Sequence, residues 1–420
     1  MTYRHPDGTT ATALRRTRSR LVPLALGAVL VTSTVAVGAT ASEPPRGLEA
    51  TAPQRYWDSR TMFGGDKNPP GGKIGVVTSE VAGDVMGIEF ADPIPDDAEA
   101  VFVNVTAVEA EAPGFVSVVT GANERLDIDF VPDTSNLNVD TPGQTIANSA
   151  IIPLGAVDYG GDFGEQPTVI VHSSMDTHVL VDVLGYVPAG SDYTSIPLDR
   201  VLDTRDTGGA GAGDRFDIDA IGTAGPAGAS LAIVNLTLVD SGGAGFVTAW
   251  PAGDDKPGTS NLNVDGVGQT RAGLAIVPIG ADGEISVESS TTGDLLVDVL
   301  GYFGEQSGFN GLEPADRVLD SRPSGRVEAD STTAVAVTSD SAVPDEAEFA
   351  LVNVTAVGAS APGFVSVWPG GGDRPDASNL NYPAGGTVAN TVLVPLGDDG
   401  AIDVYTAAEI DLLVDVIGWL

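Results

Sequence analysis

Asn353-Val-Thr-Ala-Val357, Gly363-Phe-Val-Ser-Val-Trp-Pro369, Ser378-Asn-Leu-Asn381 and Leu413-Val-Asp-Val-Ile-Gly418 follow one another near the end of the chain. Related stretches occur twice before in the same order, and each set ends on a Val-Asp-Val motif. The Asp of that motif stands at positions 182, 298 and 415, so the period is 116 to 117 residues. A period this long indicates repeated whole domains rather than a solenoid of small units. The earlier copies of the first and third motifs are Asn104-Val-Thr-Ala-Val108 with Ser135-Asn-Leu-Asn138, and Asn235-Leu-Thr-Leu-Val239 with Ser260-Asn-Leu-Asn263.

A hexapeptide with an arginine at each end marks the start of each repeat. Its first copy lies shortly after an apolar leader, and the closing motif of the last copy lies next to residue 420. We therefore predict three repeats, at residues 42–188, 189–304 and 305–420. The hexapeptides are Arg55-Tyr-Trp-Asp-Ser-Arg60, Arg200-Val-Leu-Asp-Thr-Arg205 and Arg317-Val-Leu-Asp-Ser-Arg322.

The first 41 residues have the pattern of a secretory signal peptide. Four arginines between positions 15 and 20 precede the apolar stretch 21–37, and Ala39-Thr-Ala41 is a small-residue cleavage site. A membrane anchor is the alternative, but the stretch is short for a bilayer span and Pro23 interrupts it. We expect export, and an extracellular or wall-associated protein with no transmembrane span after cleavage.

The composition is strongly acidic. The chain has 20 Lys and Arg against 58 Asp and Glu, a net charge of −38. This charge argues against nucleic acid and anionic lipid as partners, because phosphate binding requires the opposite sign. Solubility outside the cell explains it, and binding of calcium by clustered carboxylates is the alternative. The chain has no cysteine, so each repeat must be stable from its core, for which about 115 residues suffice.

Within each repeat the pattern is β throughout. Short runs rich in β-branched residues alternate with Gly- and Pro-containing turns, and no stretch keeps a 3.6-residue period. About seven strands per repeat predict an all-β fold of three tandem antiparallel β-sandwich modules, immunoglobulin-like or jelly-roll-like. The first repeat departs from the others at about residues 155–167, where an inserted loop replaces the tight turns Gly280-Ala-Asp-Gly283 and Gly397-Asp-Asp-Gly400. Neutral drift and a binding loop are the two explanations.

The sequence offers no recognisable catalytic or metal site. After the leader, the histidines are His172 and His178, and neither recurs in the other repeats. No HExxH motif, Gly-x-Ser-x-Gly elbow or phosphate loop is present. We therefore expect a protein that is not an enzyme and has no cofactor. A hydrolase that uses two carboxylates remains an alternative, since acidic residues are abundant.

Recurring polar residues are interpreted as structural. The Asp of each closing motif interrupts an apolar strand, and a buried carboxylate needs a cation or several donors. The opening arginines are the natural partners, which would tie the start of each repeat to its end. The Asp inside each hexapeptide is expected to pair with its flanking arginines or to accept backbone N–H groups. These residues are Arg55, Asp58, Arg60, Arg200, Asp203, Arg205, Arg317, Asp320, Arg322, Asp182, Asp298 and Asp415. The Ser-Asn-Leu-Asn motif predicts a bulge or tight bend.

Two tryptophans are the candidate ligand-binding residues. Trp250 and Trp368 end equivalent strands beside a proline, whereas the first repeat has Val119 there. An exposed tryptophan at this place could stack on a sugar ring. The alternative is that it covers the end of the core, since tryptophan is usually largely buried.

The ordered set of motifs resembles a repeat found in exported proteins of actinobacteria, the high-GC Gram-positive bacteria. Arg-Val-Leu-Asp-Thr-Arg, Val-Asn-Val-Thr-Ala, Pro-Gly-Phe-Val-Ser-Val-Trp-Pro, Ser-Asn-Leu-Asn and Leu-Val-Asp-Val-Ile-Gly carry the resemblance, which covers residues 50–420. Such repeats often accompany secreted or cell-wall hydrolases, and the resemblance brings no catalytic residues with it. It implies an accessory module in an exported protein.

Together these observations predict a secreted, non-catalytic repeat protein for attachment or scaffolding at the cell surface, with a wall polysaccharide as candidate ligand. Two alternatives remain open. One is a structural surface-layer or matrix protein without a small ligand, and the other is a glycan hydrolase with an unrecognised carboxylate site.

Overall fold

The computed structural model describes residues 47–60, 85–90, 94–123, 132, 135–158, 165–222, 225–280 and 282–420. The secretory leader predicted at residues 1–41 lies outside these residues. Residues 44–420 belong to one compact unit. Within the described part, regular structure consists of β-strands and two short 3-10 turns, Arg205–Thr207 and Glu305–Ser307. An all-β fold is therefore confirmed.

The first repeat contributes nine strands. They are β1 (Glu49–Asp58), β2 (Val85–Glu89), β3 (Ala100–Val108), β4 (Gly114–Thr120), β5 (Leu137–Val139), β6 (Ile146–Pro153), β7 (Gly155–Asp158), β8 (Glu165–Ser173) and β9 (His178–Val187).

The second and third repeats contribute eight strands each. Those of the second are β10 (Tyr193–Asp203), β11 (Arg215–Asp219), β12 (Ala229–Val239), β13 (Gly245–Pro251), β14 (Leu262–Val264), β15 (Arg271–Pro278), β16 (Glu284–Ser289) and β17 (Asp294–Gly304). Those of the third are β18 (Asn310–Asp320), β19 (Ser331–Ala336), β20 (Phe349–Val357), β21 (Gly363–Pro369), β22 (Leu380–Tyr382), β23 (Val388–Pro395), β24 (Ala401–Thr406) and β25 (Asp411–Trp419).

Each repeat folds into two antiparallel sheets. The first, called here the A sheet, has the strand order β1-β9-β3-β6, repeated as β10-β17-β12-β15 and β18-β25-β20-β23. The second, the B sheet, has the order β2-β8-β4-β5, repeated as β11-β16-β13-β14 and β19-β24-β21-β22. Among the described residues, strands pair only within their own repeat. The hexapeptide strand and the closing strand are neighbours in every A sheet, so the two ends of a repeat meet.

The six sheets are arranged as in a β-propeller. The last strand of each sheet faces the equivalent strand of the next sheet, in the order β6, β5, β15, β14, β23 and β22, and β22 contacts β6 again. Side chains of the third and first repeats bond where the ring closes. The Asn390 amide donates to Asn104 Oδ1 at 2.9 Å, and Ser149 N–H donates to Asn390 Oδ1 at 3.1 Å.

The expectation of three β-sandwich modules was therefore wrong. In a sandwich each strand keeps one face toward water, but β3 and β6 are buried on both faces over almost their whole length. Apolar side chains from different repeats pack into one cluster, which includes Phe102, Ile233 and Leu351. Because both faces of the A sheets need a cover, a repeat alone would leave apolar surface in water. The ring of six sheets supplies that cover.

The two ends of the insertion in the first repeat are paired β-strands. Strand β7 pairs with the start of β8, with Gly155 opposite Thr168 and Asp158 opposite Glu165. The second and third repeats turn tightly here, and Gly283 and Gly400 adopt positive φ. The two flanks of the segment predicted as a loop at 155–167 thus lengthen the B sheet of their repeat, and residues 159–164 lie outside the described residues.

Within the described residues, no helix is long and apolar enough to cross a membrane.

Candidate binding clefts between repeats

The ion pairs predicted from the sequence are present in all three A sheets. The register places Arg200 directly opposite Asp298, and the same holds for Arg55 with Asp182 and Arg317 with Asp415. Arg200 Nε donates to Asp298 Oδ1 at 2.7 Å and its Nη2 donates to Oδ2 at 3.1 Å. The carboxylates are nearly inaccessible to solvent. Each repeat therefore joins its first and last strands through a two-point contact.

A second Arg–Asp pair extends each network toward solvent. Asp203 accepts from the backbone N–H of Arg205 at 3.1 Å, from its Nε at 2.9 Å and from its Nη2 at 2.5 Å. Arg60 with Asp58 and Arg322 with Asp320 repeat this arrangement. The hexapeptide spacing explains it, because each Asp is the last residue of its strand and accepts the backbone N–H two residues on, as in an Asx-turn, which brings the arginine side chain beside it.

Burial and charge pull the carboxyl pKa values in opposite directions along the network. Desolvation raises the pKa of Asp298 despite the hydrogen bonds from Arg200, and it raises the pKa of Asp182 to about 6. Hydrogen bonds from Arg205 lower the pKa of the more exposed Asp203, and those from Arg322 lower the pKa of Asp320 to about 2. The outer carboxylates are thus fully ionised at neutral pH and hold their arginines firmly.

The recurring asparagines connect neighbouring repeats. Asn235 Nδ2 donates to the carbonyl of Ser135 in the first repeat at 3.1 Å. Asn353 donates to Ser260 of the second repeat at 2.6 Å, and Asn104 donates to Ser378 of the third at 2.5 Å. Every repeat therefore bonds to the one before it, and the first bonds to the last. Sequence reasoning assigned these asparagines no role, although an amide within an apolar strand carries the same signal as the Asp of the closing motif.

Side-chain hydrogen bonds stabilise the Ser-Asn-Leu-Asn bend, as expected. In the first repeat the Asn136 oxygen accepts the N–H of Val118 at 2.6 Å, and the Ser135 hydroxyl donates to Asn138 Oδ1 at 3.1 Å. The second and third repeats make the same bonds. These bonds fix the serine carbonyl where the asparagine of the next repeat reaches it, so the motif serves the interface as well as its own bend.

A cleft of about 190 Å³ lies between the first and second repeats. The bend of the first repeat forms one wall, with Phe115, Ser135 and Asn138. The Arg–Asp network of the second repeat, with Arg200 and Arg205, forms the other. Polar donors and acceptors thus surround a partly exposed aromatic ring.

An equivalent cleft of about 230 Å³ lies between the third and first repeats. Its lining includes six residues that are equivalent to those of the first cleft in the motif alignment: Phe364 for Phe115, Ser378 for Ser135, Asn381 for Asn138, Arg55 for Arg200, Arg60 for Arg205 and Thr106 for Thr237. Arg374 and Asp376 line the second cleft only, and Asp298 lines the first only. The same cleft is thus built at two interfaces. At the third interface the bond between Asn353 and Ser260 brings the equivalent residues of the second and third repeats together.

The aromatic wall differs between repeats. Phe115 stacks with His172 at 6.2 Å between ring centroids, and Phe364 packs on Tyr405 at 5.6 Å. In the second repeat Lys256 Nζ lies 5.2 Å from the centroid of Phe246, which is 37% exposed. These phenylalanines were not predicted as site residues, although Gly-Phe-Val recurs in every repeat.

The tryptophans proposed to stack on sugars are buried. Trp250 is 1% exposed and Trp368 is 4% exposed. Each indole donates its N–H to a backbone carbonyl four residues onward, Asp254 for Trp250 and Gly372 for Trp368. The structure therefore does not form the exposed platform expected from the sequence, and both residues pack in the core.

No group of three or more potential metal ligands is found among the described residues. His172 is buried, and desolvation lowers its pKa. His178 lies within 3.1 Å of the Ser59 hydroxyl. His172 lies on strand β8 of the B sheet and His178 on strand β9 of the A sheet.

Comparison with protein families and with curated proteins adds no relative: no family model matches the chain, and no curated protein matches its sequence.

Proposed function

We propose that this protein is a non-catalytic glycan-binding protein that acts outside the cell, and that the clefts between its repeats hold sugar residues. The observation that carries the proposal is the repetition of one cleft at two interfaces, with equivalent aromatic, serine, asparagine and arginine residues in both linings. Hydroxyl, amide and guanidinium groups beside an aromatic ring provide the mixed polar and apolar contacts that small polar ligands need.

Repetition also favours a polymer over a single small molecule. Volumes of about 190 and 230 Å³ are below the range of about 300–1,000 Å³ typical of sites for drug-sized ligands. A cleft of this size suits one sugar residue of a chain that continues into solvent. Several weak sites on one rigid ring gain affinity for a polymer through effective concentration. Attachment to a wall polysaccharide, with secretion through the leader, is the biological role we propose.

The test is a sedimentation assay with insoluble cell-wall material and a panel of soluble glycans, using the chain without residues 1–41. Removal of the cleft amides in the variant Asn138→Ala/Asn381→Ala should abolish binding, while the exposed change Ser339→Ala should not. If the parent protein binds no glycan, or if the double variant binds as well as the parent, the proposal is wrong.

The competing role is a structural surface protein without a small ligand. It would be favoured by self-assembly of the purified chain at moderate salt and calcium in the absence of any glycan, and the same preparation can be examined for this by light scattering.

A further inference from the structure

The accessible end of each Arg–Asp network is a guanidinium group. The side chains of Arg60, Arg205 and Arg322 are 43%, 49% and 50% exposed. Their deepest partners are covered, with Asp298 and Asp415 each 1% exposed. The charges of a network sum to zero. The guanidinium is its most exposed charged group, since Asp203 and Asp320 are 25% and 24% exposed, and Asp376 also lines the cleft that holds Arg60.

Each of these outer arginines is held in one orientation by its aspartate, and the N–H groups of its Nη1 atom are not used in that contact. Asp203 accepts hydrogen bonds from Nε and Nη2 of Arg205. Asp320 and Asp58 accept from the same atoms of Arg322 and Arg60. A guanidinium has five N–H donors, so the Nη1 side remains. Among the described residues no hydrogen bond from Nη1 is found at any of the three. A side chain already fixed by its neighbour loses little entropy when a ligand binds.

Positive charge is also concentrated at the interfaces. Eleven Lys and Arg residues lie in the described part of this chain of net charge −38. Six of them are the hexapeptide arginines. Two more, Lys256 and Arg374, lie over the aromatic rings of the cleft walls, Arg374 at 3.9 Å from the Tyr405 centroid. Eight of the eleven cations among the described residues therefore belong to the arginine networks and aromatic contacts at the interfaces.

We infer that each cleft binds the carboxylate of an acidic sugar residue, a hexuronate, with the outer arginine as its main partner; this rests on the proposed glycan-binding function. A planar carboxylate fits the parallel donors of a guanidinium better than a neutral hydroxyl does. The net charge of the chain opposes an anionic ligand at long range. Salt screens that repulsion over about 8 Å at 0.15 M, so contacts inside the cleft decide affinity.

The experiment is isothermal titration of the chain without residues 1–41 at 0.15 M NaCl. Short galacturonate oligosaccharides are compared with their methyl esters, which keep the ring and lose the charge. We expect the acid to bind at least about tenfold more tightly, the effect of a charge-assisted hydrogen bond. The variant Arg60→Gln/Arg205→Gln/Arg322→Gln should lose this preference, and Arg215→Gln, an exposed arginine outside the clefts, should retain it.

The possible results distinguish the inferred recognition of a carboxylate from the proposed binding of glycans. Equal binding of acid and ester would overturn the carboxylate inference and leave glycan binding intact. If neither binds and the glycan panel is also negative, the proposed function fails. The ester comparison uses the unaltered protein, so it remains decisive even if the triple variant does not fold.

Discussion

Removal of the Asp140 carboxylate should destabilise the whole ring. Asp140 directly follows β5, the last strand of the first B sheet, and contacts the second repeat. Its Oδ1 accepts the N–H of Thr270 at 2.9 Å, and its Oδ2 accepts from Nη1 of Arg271. The Arg271 side chain is only 6% exposed. Loss of one partner of a buried ion pair costs about 3–5 kcal/mol. Arg271 retains a bond to its neighbour's carbonyl at 2.9 Å, so we place Asp140→Ala at the lower end, about 3 kcal/mol.

The equivalent residues at the other interfaces allow the stability cost of Asp140→Ala to be compared with that of a similar change in the same protein. Asp265 also accepts an N–H, that of Thr387, but Val388 takes the position of the arginine. Arg271 acts on Asp265 through its charge, and no arginine hydrogen bond to Asp265 is found among the described residues. Asp265→Ala should therefore cost about 1 kcal/mol, the value of one hydrogen bond. At the interface between the third and first repeats the equivalent residue is Pro383. We expect Asp140→Ala to lose more unfolding free energy than Asp265→Ala.

The assay is urea unfolding followed by tryptophan fluorescence, with calorimetry as a second measure. Tryptophans occur in all three repeats, at Trp57, Trp250, Trp368 and Trp419, so the signal reports on each. A loss of about 3 kcal/mol should lower the melting temperature by about 4 °C, given an unfolding entropy of about 2.1 cal/mol/K per residue. An unchanged midpoint would refute the reasoning. So would a third repeat that unfolds at its original midpoint while the first two unfold early.

Changes at three buried residues, Asp298, Trp368 and Asp182, should also alter stability measurably. Asp298→Ala should lower the unfolding free energy by about 2–4 kcal/mol, because Arg200 loses its buried partner; an unchanged urea midpoint would contradict this. Trp368→Ala should lower the unfolding free energy by about 3–5 kcal/mol, because the indole is buried. A melting temperature equal to that of the parent would contradict this, since it would show that the core does not need the indole. Since burial raises the pKa of Asp182 to about 6 in the fold, its contribution to stability is full below about pH 4 and is lost as pH rises through about 6, by about 2–3 kcal/mol. The difference in urea midpoint between the parent and Asp182→Asn should therefore change between pH 4 and pH 7, and parallel profiles would contradict it.

Local features of the sequence predicted much of the architecture within a repeat. β-branched runs between Gly- and Pro-rich turns indicated the strands, and an Asp within an apolar strand indicated its arginine partner. These inferences succeed because they depend on residues close in sequence or on the cost of an unpaired buried charge. Arg317 and Asp415, 98 residues apart, could be paired on that ground alone.

The arrangement of the sheets could not be predicted in the same way, although the sequence held a signal. Apart from Asn148, the stretch Ile146-Ala-Asn-Ser-Ala-Ile-Ile-Pro153 is small or apolar at both odd and even positions. A sandwich strand with one face in water should alternate with polar residues. Such a strand must be covered on both sides, but which surface supplies the cover is decided by contacts between repeats more than 100 residues apart. A period in the sequence does not specify that partner.

The repeated motifs therefore encode two things at once. The Arg–Asp pair joins the ends of one repeat, whereas Asn104, Asn235 and Asn353 join that repeat to its neighbour. The cleft lies where these two sets of contacts meet, since its walls are the Ser-Asn-Leu-Asn bend of one repeat and the arginine network of the next. A single repeat thus holds two half-clefts and no complete one. The cleft between the third and first repeats exists only when the ring is closed, so a ligand that binds there must stabilise closure by the free energy of its binding.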